Sequence, residues 1–237
     1  MTRRRWIADE FSDNRASLTG EHANHLQRVL RARVGQEFDV VTGSAVRRGQ
    51  IVSLADGRVD FNLGEEVPTV SVPNLTLVMA IFKFDRMEWA IEKCTELGVN
   101  KIVPVIARRT EVHLASAATK RVERWQRIAA QATEQSRRAA VPKIDAPMKI
   151  ADAATLSGAL RALLSESDPE VQLRDVLVQN SSSNETILAV GPEGGWTDNE
   201  VNLFRRNGWI CASLGPTILR AETAAIAATA LAISELS

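Results

Sequence analysis

From Leu75 onward, short apolar runs alternate with segments of helical periodicity. The run Leu75–Phe82 contains a single polar residue, which is typical of a strand buried on both faces. Apolar residues from Met87 to Leu97 then recur at helical spacing, and Gly98 follows where helices commonly end. The next apolar run, Lys101–Ile106, is again strand-like. This alternation predicts an α/β fold with a mostly parallel sheet covered on both faces.

The alternation continues to the end of the chain. It predicts helices over 118–139 and 152–164, strands over 175–179 and 187–190, a helix between Thr197 and Gly208, a strand over 209–214 and a helix over 222–236. Thr197 and Glu200 have the spacing of a capping box. The last helix is nearly apolar all round, so it must be buried, either inside the domain or against another subunit.

The first 70 residues follow a different pattern. Short β-rich segments at 38–42, 50–54 and 58–63 are separated by turn residues, which predicts a small β-barrel or sandwich. One helix is expected over Thr19–Leu30, capped by Thr19. The segment Glu65–Pro73 carries two prolines without periodicity, which is typical of a linker. We therefore expect two domains, residues 1–70 and residues 74–237.

Overall charge excludes little, but its distribution is informative. Lys plus Arg and Asp plus Glu both number 29, so the net charge gives no indication of a nucleic-acid partner. Residues 101–138 nevertheless hold nine cations against three acids, a local excess of six. A solvated helix face is an alternative explanation for most of these cations.

The spacing of the cysteines and histidines and the length of the apolar runs predict an intracellular protein without a metal. Cys94 and Cys211 have no CxxC motif or histidine cluster beside them, which argues against a disulfide framework. His22, His25 and His113 lack metal-ligand spacing, so no metal is expected. The N-terminus does not resemble a leader and no apolar run is long enough for a bilayer, so we expect a cytoplasmic protein with no membrane partner.

The first candidate loop for chemistry is GPEGG, Gly191–Gly195, between a predicted strand and a predicted helix. Ligands of open parallel sheets bind at the carboxyl ends of strands. The glycines let a ligand approach bare backbone, whereas Glu193 would repel an anion and no phosphate-loop lysine is present. A neutral or cationic ligand such as S-adenosylmethionine suits this loop. A plain tight turn is an equally good interpretation of the glycine pair alone.

The second candidate loop is LGPTILRAETA, residues 214–224, which joins a predicted strand to the last helix. Arg220 is well placed at a strand end to contact an anionic or carbonyl-bearing substrate. Glu222 lies in the first turn of the helix, where a carboxylate also suits the helix dipole. Helix initiation is therefore an alternative role for Glu222.

Five motifs occur in order along the chain. They are HLxxVLR from His25, KxxELGV from Lys93, EQSxR from Glu134 with Pro142 after it, GPEGG followed by TxxE, and LGxxILRxETA from Leu214. Together they resemble the ribosomal RNA small subunit methyltransferase E family, of the SPOUT or α/β-knot class. Two positions depart from that family: Thr217 replaces a frequent Arg, and Arg137 replaces a usual Gly.

The resemblance implies an architecture and a reaction. The fold would be an N-terminal PUA-like β-barrel that helps to hold RNA, followed by a SPOUT methyltransferase domain with a trefoil knot. The chain would act as a homodimer and transfer a methyl group from S-adenosyl-L-methionine to N3 of a specific uridine in 16S ribosomal RNA. Its substrate would be the 16S rRNA or the assembled small ribosomal subunit.

The resemblance also implies roles for individual residues. The cofactor would be held by the backbone of both loops, at Gly191, Gly194, Gly195, Leu214, Gly215, Ile218 and Leu219. Arg220 would face the uridine carbonyls, and Glu193 or Glu222 would act as the base that N3 methylation requires. Phosphate contacts would come from Arg3, Arg4, Arg5, Arg28, Arg31 and Arg138.

Two other functions stay open at this point. One is a SPOUT enzyme that acts on a ribose 2′-hydroxyl or on transfer RNA. The other is a non-catalytic RNA-binding assembly factor that has kept the fold, which the departure at Thr217 would suit.

Overall fold

The structure is a computed structural model, and it describes residues 5–43, 45–67, 73–136, 138, 140–166 and 170–236. The chain divides into two compact units. The first consists of residues 1–70 with the short segment 137–140, and the second of residues 71–136 and 141–237. The expected positions Arg3, Arg4 and Arg137 lie outside the described residues.

The first unit is built on a six-stranded sheet in the order β1-β4-β5-β6-β3-β2. Its strands are β1 (Arg5–Ile7), β2 (Glu10–Ser12), β3 (Arg15–Thr19), β4 (Glu37–Thr42), β5 (Ala45–Ala55) and β6 (Arg58–Glu66). The pairings are antiparallel except that between β1 and β4. Alternate residues of these strands, among them Leu18, Val40 and Phe61, are fully buried in one core. The all-β character expected for this region is confirmed, with strands longer than predicted.

The helix of the first unit differs from its prediction. An α-helix, α1, covers only Gly20–Asn24, and a π-helix follows over His25–Val29. Thr19 has an extended backbone before α1, but its side chain makes no capping hydrogen bond. The Gln27 side chain instead donates to the carbonyl oxygens of Ala55 and Arg58, at 2.6 and 2.9 Å, which ties the π-helix to the turn between β5 and β6.

The second unit contains a seven-stranded sheet in which every described pairing is parallel. The main order is β10-β8-β7-β12-β11-β13, and β9 pairs with β8. The strands are β7 (Asn74–Ala80), β8 (Lys101–Ile106), β9 (Lys143–Ile144), β10 (Met148–Lys149), β11 (Leu160–Leu164), β12 (Glu185–Val190) and β13 (Ile210–Ala212). The parallel sheet is therefore as predicted.

Helices cover both faces of this sheet, which confirms the predicted layering. They are α2 (Phe84–Leu97), α3 (Val112–Ser136), α4 (Ile150–Ala154), α5 (Leu173–Gln179), α6 (Asp198–Arg206) and α7 (Ala221–Leu236). Side chains of α2, α3, α5 and α7 form one apolar core with the sheet, and side chains of α4 and α6 form another. Among the described residues, the helices are too short or too polar to cross a membrane.

Two predictions of secondary structure are wrong. Residues 152–164 do not form one helix, because α4 ends at Ala154 and Leu160–Leu164 is a strand between β12 and β13. Leucine and alanine favour helices, but burial between two strands overrides that preference. Residues 175–179 belong to helix α5 rather than to a strand. The buried residues Leu173, Val176 and Leu177 have helical spacing, which becomes visible only when the segment is started at Leu173.

The apolar helix α7 is buried chiefly against α2, with α5 beside it. Its small residues Ala225 and Ala228 are fully buried and allow this close approach. The Thr229 hydroxyl donates to the Ala225 carbonyl oxygen at 2.7 Å, and its oxygen lies 3.4 Å from the Cys94 sulfur of α2. Burial raises the pKa of that thiol to about 12, so Cys94 is a packing residue.

Candidate active site

A cavity of about 540 Å³ lies in the second unit, where the loops leave the carboxyl ends of β11, β12 and β13. Most of its wall comes from the loop that follows β12 and the loop that follows β13. The predicted residues that line it are Gly191, Glu193, Gly194, Gly195, Leu214, Gly215, Ile218 and Leu219. Arg220 and Glu222 are not among the lining residues.

The loop after β12 requires glycine at two of its positions. Gly195 has φ +71°, a left-handed conformation, and its N–H donates to the carbonyl oxygen of Pro192 at 2.8 Å. A Cβ atom on Gly191 would lie 3.2 Å from the indole nitrogen of Trp196. That indole is buried and donates to the Leu164 carbonyl oxygen at 3.1 Å, so Gly191 leaves room for the ring that supports the loop.

A cation from another loop holds this one in place. Arg109, between β8 and α3, donates to the carbonyl oxygens of Gly194 and Trp196. Hydrogen bonds from a charged donor are stronger than neutral ones. Arg109 also lines the cavity, but its guanidinium is engaged by the loop.

The predicted capping box at the start of α6 is confirmed and has a second role. Thr197 N–H donates to Glu200 Oε2 at 2.8 Å, and Glu200 N–H donates to Thr197 Oγ1 at 3.4 Å. The other carboxylate oxygen of Glu200 accepts the backbone N–H of Arg108 at 2.7 Å. One buried carboxylate thus joins the loop after β12 to the loop after β8.

The loop after β13 is more open. Gly215 has φ +128°, and a Cβ atom there would meet no other atom within 4 Å. The Ser213 hydroxyl is within hydrogen-bonding distance of the Gly215 N–H and carbonyl oxygen, at 3.2 and 3.0 Å. Ile218 is 79% exposed, and Thr217, the departure from the family pattern, lines the cavity as an exposed residue.

Three of the charged side chains near this edge form one cluster. Arg86, in the first turn of α2, donates through Nη1 to Glu193 Oε1 at 2.6 Å. Its Nε lies 3.8 Å from Oε1 of Glu222, whose side chain is only 6% exposed. Arg220 is exposed, and no partner for its side chain is found among the described residues.

The charge of the cavity wall fits the ligand class expected from the sequence. Glu166, Glu193 and Asp198 line it, and the lining cation Arg109 is bound to loop carbonyls. This wall disfavours a phosphate and suits a neutral or cationic ligand. In the described part of the chain, no group of His, Cys, Asp and Glu side chains could hold a metal ion.

The cations expected to contact RNA have varied surroundings. Arg5 lies in β1 and is partly buried, and Arg138 is also partly buried, which lowers its pKa from the ordinary value. Arg28 is exposed at the end of the π-helix and lies 3.5 Å from Asp56. Arg31 is exposed and has φ +50°, which is uncommon for a residue other than glycine.

Known proteins resemble both units. The family described as the RNA methyltransferase PUA domain matches residues 18–63, and that described as the RNA methyltransferase domain matches residues 70–233. The ribosomal RNA small subunit methyltransferase E of Synechocystis sp. is 37% identical over 94% of this chain and 74% of its own. The chain belongs to the ribosomal RNA small subunit methyltransferase E family. The Bacillus subtilis member is 29% identical over 88% of this chain and 85% of its own.

Solved structures agree with this placement in the methyltransferase E family. The Neisseria gonorrhoeae member, solved bound to S-adenosyl methionine, has a TM-score of 0.78 and 30% identity over 97% of this chain and 96% of its own. A putative methyltransferase of Legionella pneumophila, in complex with the same cofactor, has a TM-score of 0.75 and 29% identity over 99% and 98%. The expected SPOUT-type fold with an N-terminal PUA domain is confirmed.

In this member of the methyltransferase E family, the sequence indicated both glycine loops but missed Arg86, and it indicated Arg109 only as one of the cations of residues 101–138. Each acts on a partner that is distant along the chain: Glu193 is 107 residues from Arg86, and Gly194 is 85 residues from Arg109. A single arginine beside a strand end has no local pattern that identifies such a partner. Their positions in the sequence could have indicated a role, because both arginines follow predicted strands at the edge of the sheet where ligands bind.

Proposed function

We propose that this protein transfers a methyl group from S-adenosyl-L-methionine to N3 of a specific uridine in the 16S ribosomal RNA of the small subunit. The observation that carries this proposal is the cavity formed by the two glycine loops in a chain of the methyltransferase E family. Relatives of this fold are described as bound to S-adenosylmethionine.

The residues present suit that cofactor. A cavity of about 540 Å³ is in the usual range for a ligand of this size. The backbone of Gly191, Gly194 and Gly195 would hold it on one side, and that of Leu214, Gly215, Ile218 and Leu219 on the other. Bare backbone can bind adenosine and methionine groups, and the acidic wall suits the sulfonium and ammonium charges. When bound, the cofactor supplies the methyl group as an electrophile.

The protein's own residues would prepare the uridine. N3 carries a proton that must leave before or during attack, so a carboxylate within reach would act as base. Glu193 lines the cavity and Glu222 lies behind Arg86, and we propose the base among these two. Arg220, exposed beside the cavity loop, would stabilise negative charge on the uridine carbonyl oxygens. Because N3 is on the pairing edge, the base must be unpaired or turned out of its stack.

We assign RNA binding to the domain of residues 1–70 and methyl transfer to the domain of residues 74–237. Arg5, Arg28 and Arg31, with Arg3, Arg4 and Arg138, would contact phosphates. A π-helix and a left-handed arginine are uncommon conformations that often occur at functional sites, and the exposed Arg28 and Arg31 lie in these two conformations. RNA affinity should therefore fall as salt concentration rises.

We further propose a cytoplasmic homodimer acting on 16S rRNA or on the assembled subunit. The partly buried apolar residues of α7, such as Ile226 and Ile233, offer a surface for a second copy. Light scattering during size-exclusion chromatography would measure the mass. A monomer at micromolar concentration would contradict the dimer without affecting the methylation proposal.

Product analysis tests the reaction. Small subunits, naked 16S rRNA and transfer RNA from a strain that lacks the gene would be incubated separately with the protein and S-adenosylmethionine. Mass spectrometry of a nucleoside digest would identify the methylated nucleoside, and mass spectrometry of an oligonucleotide digest would locate it. We expect 3-methyluridine at one position. A 2′-O-methylated nucleoside, or a mark on transfer RNA alone, would support the other SPOUT activity. Absence of cofactor binding by isothermal titration would support a non-catalytic assembly factor.

A further inference from the structure

Arg86 lies between the two carboxylates that are candidates for the base. Its Nη1 donates to Glu193 Oε1 at 2.6 Å, and its Nε lies 3.8 Å from Glu222 Oε1. The three residues come from three segments: the first turn of α2, the loop after β12 and the first turn of α7. One guanidinium therefore connects the wall of the cavity to a carboxylate buried behind it.

The charges in this cluster do not balance. Two carboxylates share one guanidinium, and Glu222 is buried to a side-chain exposure of 6%. Its second oxygen, Oε2, is buried and has no hydrogen-bond partner in the described part of the structure. A buried carboxylate without compensation is strongly destabilising, as when one partner of a buried ion pair is removed. Arg86 supplies the counter-charge that the structure shows for Glu222.

The Glu193 side chain is held by a contact from outside its own loop. Glu193 lies between Pro192 and the glycine pair Gly194 and Gly195, and its side chain is 31% exposed. Arg109 holds the loop at the carbonyl of Gly194, but the contact to the Glu193 side chain comes from Arg86. Without that contact, the carboxylate would sample several rotamers in solvent.

We propose that Arg86 is a positioning residue, whose guanidinium holds the Glu193 carboxylate at the cavity wall and neutralises the buried Glu222. This inference deepens the proposed methyl transfer and rests on it. A planar guanidinium can contact two carboxylates at once, which a lysine ammonium on one flexible chain does less well.

The position of a reacting group affects turnover more than it affects binding. A misplacement of about 1 Å can cost up to about 100-fold in rate. We expect Arg86→Met to lower kcat by about 10- to 100-fold while KM for RNA stays within about twofold. Arg86→Lys keeps the charge and should recover part of that loss.

The matched control is Lys101→Met. Lys101 pairs with Asp145 at 2.8 Å and its side chain is 32% exposed, against 33% for Arg86, but it begins β8 at the opposite edge of the sheet. This control should keep wild-type kcat.

A second pair of variants covers the case in which Arg86→Met fails to fold because the buried Glu222 carboxylate is left unpaired. The double variant Arg86→Met with Glu222→Gln removes that charge, and it is compared with the single variant Glu222→Gln. Because Glu222 is itself a candidate base, the two variants are compared by amide hydrogen exchange of Gly191–Gly195 rather than by turnover. Faster exchange in the double variant supports positioning, and equal exchange overturns it.

A second measurement does not depend on turnover. Amide hydrogen exchange of Gly191–Gly195 should be faster in Arg86→Met than in wild type and unchanged in Lys101→Met. If the wild type transfers no methyl group to RNA, the proposed function fails, and this exchange decides whether Arg86 holds the loop. Wild-type kcat together with wild-type exchange in a folded Arg86→Met protein would overturn the inference.

Discussion

The two loops that line the cavity are held in different ways. The loop Gly191–Gly195 is fixed from several sides, by Arg109 at its carbonyls, by the buried indole of Trp196 and by Glu200 at the following helix. Among the residues that the structure describes, the loop 214–219 has one hydrogen-bonded pair, Ser213 with Gly215, and its Ile218 is exposed. One wall of the cavity is therefore preformed and the other is open.

This difference separates two tasks. A preformed wall sets the shape of the cavity before a ligand binds, and so reduces the entropy lost on binding. An open wall can adjust around the ligand and admit a large second substrate such as RNA. Changes in the loop Gly191–Gly195, which we call the clamped loop, should therefore affect the free energy of unfolding and the affinity for the cofactor. Changes in the loop 214–219, which we call the open loop, should affect turnover and RNA binding.

The largest expected effect is that of Trp196→Ala. The indole is buried, lies 5.4 Å from the ring of Phe204 and donates to Leu164. Its removal should lower the free energy of unfolding by about 3–5 kcal/mol. In the open loop, Ile218→Ala should change it by less than about 0.5 kcal/mol. Urea denaturation measures both, and equal destabilisation by the two variants would show that the loops are not held differently.

The next effect is on turnover. Arg220→Ala, at the end of the open loop, should lower kcat by about 100-fold or more because charge stabilisation at the uridine is lost. The fold should be unaffected, since Arg220 is exposed and its side chain has no hydrogen bond or ion pair among the described residues. Arg206→Ala, another exposed arginine, in the last turn of α6, is the control and should keep wild-type turnover. Near-normal methylation by Arg220→Ala would remove Arg220 from the mechanism.

The same contrast explains what the sequence could predict. The clamped loop is read correctly because glycine, proline and the Thr197 capping box are local signals. The contacts of Arg86 and Arg109 with this loop are not predicted by the sequence, because they join segments far apart in the chain. The strand Leu160–Leu164 was misread for a related reason: its residues favour a helix, and only neighbours β12 and β13 make it a strand. The sequence therefore predicts the loops, and tertiary contacts decide which charges act on them.

Arg109→Met tests the clamp itself. Loss of the hydrogen bonds to the carbonyl oxygens of Gly194 and Trp196 should make the loop more mobile. The Kd for S-adenosylmethionine should rise by about tenfold, which corresponds to a loss of about 1.4 kcal/mol in binding free energy. Arg108→Met is the matched neighbour, because Arg108 contacts Glu200 through its backbone N–H, which the substitution keeps. Isothermal titration measures both variants. Equal affinities for Arg109→Met and Arg108→Met would mean that the loop holds its shape without the clamp.

The smallest effect is expected at the most exposed part of the open wall. Thr217 lines the cavity without being buried, so Thr217→Arg should leave the free energy of unfolding within about 0.5 kcal/mol of wild type. If the open loop faces RNA, the added cation should make the salt dependence of RNA binding steeper by about one phosphate contact. Thr217→Gln, which adds length without charge, is the control and should keep the wild-type slope. A change in cofactor affinity with an unchanged RNA slope would instead assign this part of the loop to the cofactor, and the contrast between the two walls would then lie in rigidity alone.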